Sequence, residues 1–94
     1  MLERADQKFI LLPEIYATQS SVFFMQKDYP NAITAIRNAI KHKPNYVRGY
    51  AQMSDILLAA GRRGDAVKAL KIGYAKTSGA APIAKRLKQL GESP

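Results

Sequence analysis

The chain has 94 residues, 47% of them apolar, with no cysteine, a single histidine and a net charge of +8. A chain of this length buries one modest core, so it is one domain or a piece of a larger array. Its composition excludes a disulfide framework, a thiolate nucleophile and a thiolate zinc site, and one His42 leaves most other metal sites short of ligands, so neither metal nor cofactor is expected.

In chain order, Leu2, Ala5, Phe9 and Leu12 form a stripe at helical spacing, which predicts an N-terminal helix over residues 1–12. From Pro13 the residues Tyr16, Ala17, Ser20, Phe23 and Phe24 recur at three- and four-residue steps and predict a helix to about Gln26. Asp28 before "YPN" offers a capping carboxylate, and Ala32, Ile33, Ala35, Ile36, Ala39 and Ile40 give the next helix a broad apolar face. Pro44 ends it at Lys43, Asn45 is the expected cap of the following helix, and that helix runs from about Tyr46 to Ala60. Gly61 supplies a left-handed stop, Gly64 loosens the turn, and Asp65 suits the start of a fourth helix that carries Val67, Leu70, Ile72 and Tyr74. Gly79 stops this helix, Pro82 opens a fifth over Ile83 to Leu90, and Gly91 closes it. The expected fold class is all-α.

A shift of 34 residues superposes Tyr16 on Tyr50, Ala17 on Ala51, Ser20 on Ser54, Ala32 on Ala66 and Ala35 on Ala69. The same shift pairs Phe23 with Leu57, Ile33 with Val67 and Ile36 with Leu70. The identities are few, but they fall where packed helices must touch. Two passages carry the pattern: Tyr16-x2-Gln19-Ser20-x2-Phe23 with Ala32-x3-Ile36 and Pro44, then Tyr50-x2-Met53-Ser54-x2-Leu57 with Ala66-x3-Leu70 and Ser78. The chain therefore resembles the tetratricopeptide repeat family over residues 13–80, departing from it where Gln19 stands for a leucine and Ser78 for a proline.

The resemblance implies two helix-turn-helix repeats, residues 13–46 and 47–80, in a right-handed superhelical stack. Residues 81–94 then supply a capping helix and tail, with Ile83, Leu87 and Leu90 inward. Residues 1–12 read as the remnant of a preceding repeat. Two repeats are fewer than such a stack usually needs, so the chain is expected to be a fragment of a longer array or to self-associate.

The resemblance further implies a non-catalytic scaffold that holds a peptide or helix in the concave groove lined by the first helix of each repeat. Here that groove would be formed by Glu14, Ala17, Thr18, Ser21 and Phe24, then Arg48, Ala51, Gln52, Asp55 and Leu58. Phe24 and Leu58 would supply apolar contact, Arg48 a forked donor for a carboxylate, and Gln52 and Asp55 orienting hydrogen bonds. The lysine and asparagine clamp of the carboxylate-gripping subclass is replaced by Ala17 and Ser21, with only Arg86 in a comparable place. Binding of a chaperone tail is therefore not expected.

Charge supports a second reading. Residues 1–47 hold six Lys or Arg against four acids, and residues 48–94 hold nine against three, so +6 of the charge lies in the second half. Arg62, Arg63, Lys68, Lys71, Lys85, Arg86 and Lys88 offer a basic surface for a polyanion such as nucleic acid. Lys41 to Lys43, by contrast, occupy a helix C-terminus where cations are favoured in any case. Arg63-Gly64-Asp65 spells an adhesion tripeptide, yet it sits in a helix-turn-helix corner where glycine and aspartate have structural roles. His42 has no acid near it in sequence for a catalytic triad, and "GRRG" lacks the spacing and lysine of a phosphate loop, so no enzymatic activity is expected. The start "MLERADQKF" places charges where a signal peptide needs an apolar run, and no transmembrane segment is expected. A cytoplasmic location is the default expectation, and a bacterial envelope-associated one would follow if an upstream anchor had been removed.

Overall fold

The structure, a computed structural model, describes residues 12–93. They form five α-helices and, among the described residues, no strand: α1 Pro13–Met25, α2 Tyr29–His42, α3 Val47–Ala59, α4 Arg63–Lys76 and α5 Ala81–Gln89. The all-α expectation is met, whereas the helix expected over residues 1–12 lies outside the described residues except for Leu12, which precedes α1 in an extended conformation.

Local chemistry accounts for most of the helix ends. Asp28 caps α2 by accepting from the Asn31 amide at 3.4 Å, while Pro30 sits in the first turn, where its missing N–H is not needed. Pro82 sits likewise in the first turn of α5, which begins at Ala81, two residues before the start at Ile83 that the apolar pattern suggested. At the C-terminus of α3, Gly61 takes φ +77° and the Arg62 amide donates to the Leu57 carbonyl at 2.8 Å, closing the last turn. Gly91 closes α5 likewise at φ +76°.

Three ends depart from expectation. Lys27 takes the left-handed conformation (φ 60°) after α1, with the Asp28 amide donating to the Phe23 carbonyl at 2.9 Å. The hydrogen-bonded closure of the turn imposes there a conformation that an L side chain rarely adopts. Ser78 (φ 58°) shares with Gly79 (φ 79°) the termination of α4 that the sequence assigned to the glycine alone. Asn45 does not cap α3: Tyr46 occupies the cap position with no side-chain capping bond, and Pro44 and Asn45 form the turn before it.

Short connections fold α2 back along α1. Phe24 meets Tyr29 near the turn with ring centroids 5.9 Å apart, the Ser20 hydroxyl donates to the Ala32 carbonyl at 2.7 Å, and Tyr16 stacks on His42 at 5.3 Å at the far end. Later partners of α1 residues thus run backwards along it, which makes the pair antiparallel. Small buried residues, Ser20, Ala32 and Ala39 here and Ser54, Ala66 and Gly73 in the next pair, allow the helix backbones to approach closely.

Among the described residues the core has two parts. Ala17, Ile33, Ile36, Ile56 and Leu57 belong to the larger cluster, which spans α1 to α4. Tyr50, Leu70, Ile83 and Leu87 form a second cluster that seats α5 on α3 and α4, with Leu90 packed at its margin. Burial of four such side chains contributes of order 6–12 kcal/mol before conformational entropy is set against it. Among the described residues, no helix is long and apolar enough to cross a membrane.

Candidate functional site

Glu14, Thr18 and Ser21 lie on α1 at steps that keep them on one side of the helix, and Arg48, Gln52 and Asp55 do the same on α3. The two rows meet through Gln52. Its side-chain amide donates to the Ala17 carbonyl at 2.9 Å and to the Ser21 hydroxyl at 3.1 Å, tying α3 to α1. Beside this link, Ser21, Phe24, Gln52, Asp55 and Ile56 line a cavity of about 100 Å³. Leu58, 36% exposed, lies one turn further along α3.

Several expected groove residues have other employment. Ala17 is 1% exposed and Ala51 is also buried, so neither side chain is available to a partner; what Ala17 offers is its backbone carbonyl, already bonded to Gln52. For Ala17 the cause is proximity, since α1 meets α3 there. Asp55 accepts from the Arg86 guanidinium through two bonds of 3.2 and 3.1 Å, linking α3 to α5. Asp55, which lines the depression, is thereby held as a fixed acceptor. Phe24 is half-buried, its ring packed against Tyr29. Glu14 and Arg48 gather around Tyr46: burial pushes the Tyr46 phenol above its ordinary range, Arg48 pulls it back and Glu14 raises it.

The basic surface does not present seven equivalent cations. Arg62 is paired with Asp65 at 2.7 Å, Arg63 donates to the Leu90 carbonyl at 2.6 Å, Lys71 meets Glu92 at 3.3 Å, and Arg86 holds Asp55. Lys68, Lys85 and Lys88 make no ion pair among the described residues. Arg86, assigned above to the basic surface, is half-buried in its pair. Arg63-Gly64-Asp65 forms the first turn of α4, with Asp65 turned to Arg62.

An apolar depression between α2 and α4, to which Arg37, Met53 and Ile72 contribute, lies outside the site expected from the sequence. Its one legible signal is Ile72, a large apolar residue off the buried face that Ala66, Leu70 and Gly73 define on α4. Among the described residues, no cluster of three or more His, Cys, Asp or Glu side chains is gathered in a way that could hold a metal.

No protein-family model matches the chain, and no match to a curated protein was found.

Proposed function

We propose that the chain is a non-catalytic protein-interaction module. In this reading two tetratricopeptide-like repeats, capped by α5 in a right-handed superhelical stack, hold a peptide or helix along the exposed strip of α1 and α3. The spacing of the helices supports the repeat: α1, α3 and α5 begin at Pro13, Val47 and Ala81, and α2 and α4 at Tyr29 and Arg63, each successive start 34 residues on. The turns after α1 and α3 repeat as well, with Lys27 and Gly61 both left-handed and followed by matching backbone bonds.

The observation that carries the binding reading is the depression of Ser21, Phe24, Gln52 and Asp55. An apolar ring lies there beside a hydroxyl, an amide and a carboxylate fixed by its guanidinium, the mixture that grips a peptide by an apolar anchor and orients it by polar contacts. Arg48 stands exposed on the same helix for an acidic residue of the partner. A partner protein, within a larger assembly or as a second copy of the chain, fits this strip better than a polyanion. Four of the seven candidate cations already serve internal bonds, which leaves Lys68, Lys85 and Lys88 to carry the polyanion reading.

The deciding experiment is retention of host proteins on the immobilised chain after nuclease treatment, at about 0.15 M salt and at several-fold higher salt, where screening of exposed charge differs most. A discrete protein retained at both, and lost on replacing Phe24 and Arg48 together by alanine, is the expected result. Retention that survives the double replacement removes the strip as the binding site. Binding abolished by nuclease or by salt transfers the function to the basic surface.

A further inference from the structure

A groove separates α2 from α4 because both helices pack against α3 while making little contact with each other. It consists of two adjoining cavities of about 190 and 310 Å³ that share Arg37, Met53, Ala69 and Ile72. Met53 and Ala69 form its floor, and Ile72, 48% exposed, stands on the α4 wall. Arg37 on the α2 rim and Lys68 on the α4 rim are exposed, and neither is ion-paired to another described residue. Among the described residues of the lining the one acid, Asp65, is held by Arg62 at 2.7 Å. The groove is separate from the strip described above, since Met53 and Asp55 are two residues apart on α3 and so diverge by roughly 200° around the helix.

We propose that this groove is a second docking site, for an amphipathic helix of a partner protein with an apolar stripe at three- and four-residue spacing and carboxylates along its flanks. The stripe packs on Met53, Ala69 and Ile72, and the flanking carboxylates meet Arg37 and Lys68 on opposite rims. Charge selects this occupant. A second copy brings its own net +8 towards a cationic rim, and nucleic acid would meet an apolar floor with, among the described lining residues, no exposed ring on which bases could stack, Tyr50 being buried. An acidic helix satisfies the floor and both rims together.

The test titrates the isotopically labelled full chain with a blocked synthetic peptide of roughly fifteen residues, with leucines at helical spacing and flanking glutamates, and with the same peptide carrying lysines for glutamates. The expected result is resonance shifts at the Met53, Ala69 and Ile72 methyl groups, with at least about tenfold weaker binding of the lysine peptide. Ile72→Glu should weaken the glutamate peptide about tenfold or more, Arg37→Glu should weaken it and improve the lysine peptide, and Phe24→Ala should change neither. Both altered groove residues are exposed, so an unchanged helical circular dichroism signal separates loss of the site from loss of the fold. Equal binding of the two peptides, shifts confined to Ser21, Phe24 and Gln52, or no shift at Met53, Ala69 and Ile72 would each overturn the proposal.

Discussion

The Tyr50 ring lies against the backbone of Gly73 so closely that a Cβ added to the glycine would stand 2.5 Å from the ring's Cγ. The ring cannot withdraw, because Tyr50 is only 4% exposed, packs with Leu70, Ile83 and Leu87, and donates its hydroxyl to the Pro44 carbonyl.

Gly73→Ala is therefore expected to destabilise the protein although alanine is the better helix former. Overpacking at such a site costs roughly 1–3 kcal/mol or more, against a propensity gain of about 1. Gly64, with nothing within 4 Å of its added Cβ, is the control, and Gly64→Ala should stabilise by about 0.5–1 kcal/mol. Urea unfolding midpoints of the two variants should move in opposite directions; movement in the same direction would refute the assigned contact.

The two buried serines differ in what their hydroxyls join. Ser20 donates to Ala32 on the neighbouring helix, whereas Ser54 donates to Ala51 on its own. Ser20→Ala should cost about 1 kcal/mol by removing a buried bond between helices, and Ser54→Ala should be close to neutral. Equal losses in chemical denaturation would show that the inter-helix bond is not what distinguishes them.

Asp55 and Arg86 join α3 to α5 through a pair that solvent reaches on both sides. A double-mutant cycle with alanine at each position should give a coupling of about 0.2–1 kcal/mol that shrinks as salt is added. A coupling of several kcal/mol, indifferent to salt, would mean that the pair is far better desolvated than its geometry indicates.

Burial raises the Tyr50 phenol above its ordinary value of 10.0 and raises Tyr46 in the same direction. The folded chain then holds these protons more tightly than the unfolded one. Below pH 10 both states are protonated and stability is unaffected; above it the unfolded chain ionises first, and stability is lost as pH rises through the folded value. Melting temperatures should fall from about pH 10 upward, and less steeply in Tyr50→Phe, which at neutral pH should lose about 1 kcal/mol with its bond to Pro44. Parallel pH curves for the two proteins would rule out Tyr50 as a source of the alkaline loss.

Helix position and type were legible in the sequence because their determinants act over a few residues. Three- and four-residue apolar spacing, the Asp28 carboxylate, Pro82 and the stops at Gly61 and Gly91 each work within one turn, and all five helices lie close to where these signals put them. The 34-residue recurrence of small residues also marked Ser20, Ser54, Ala32 and Ala66 as points of close contact, and all four are fully buried. The fate of the site residues depended on neighbours far away in the chain. Ala17 is hidden where α1 meets α3, Arg86 is claimed by Asp55 from 31 residues away, and the Gln52 amide nitrogen donates to α1, leaving its oxygen to the depression. The groove rimmed by Arg37 and Lys68 exists only because α2 and α4 each pack against α3 without closing on each other, and no local pattern records that arrangement. Short-range sterics and capping fixed the helices, and long-range packing decided which side chains remained for a partner.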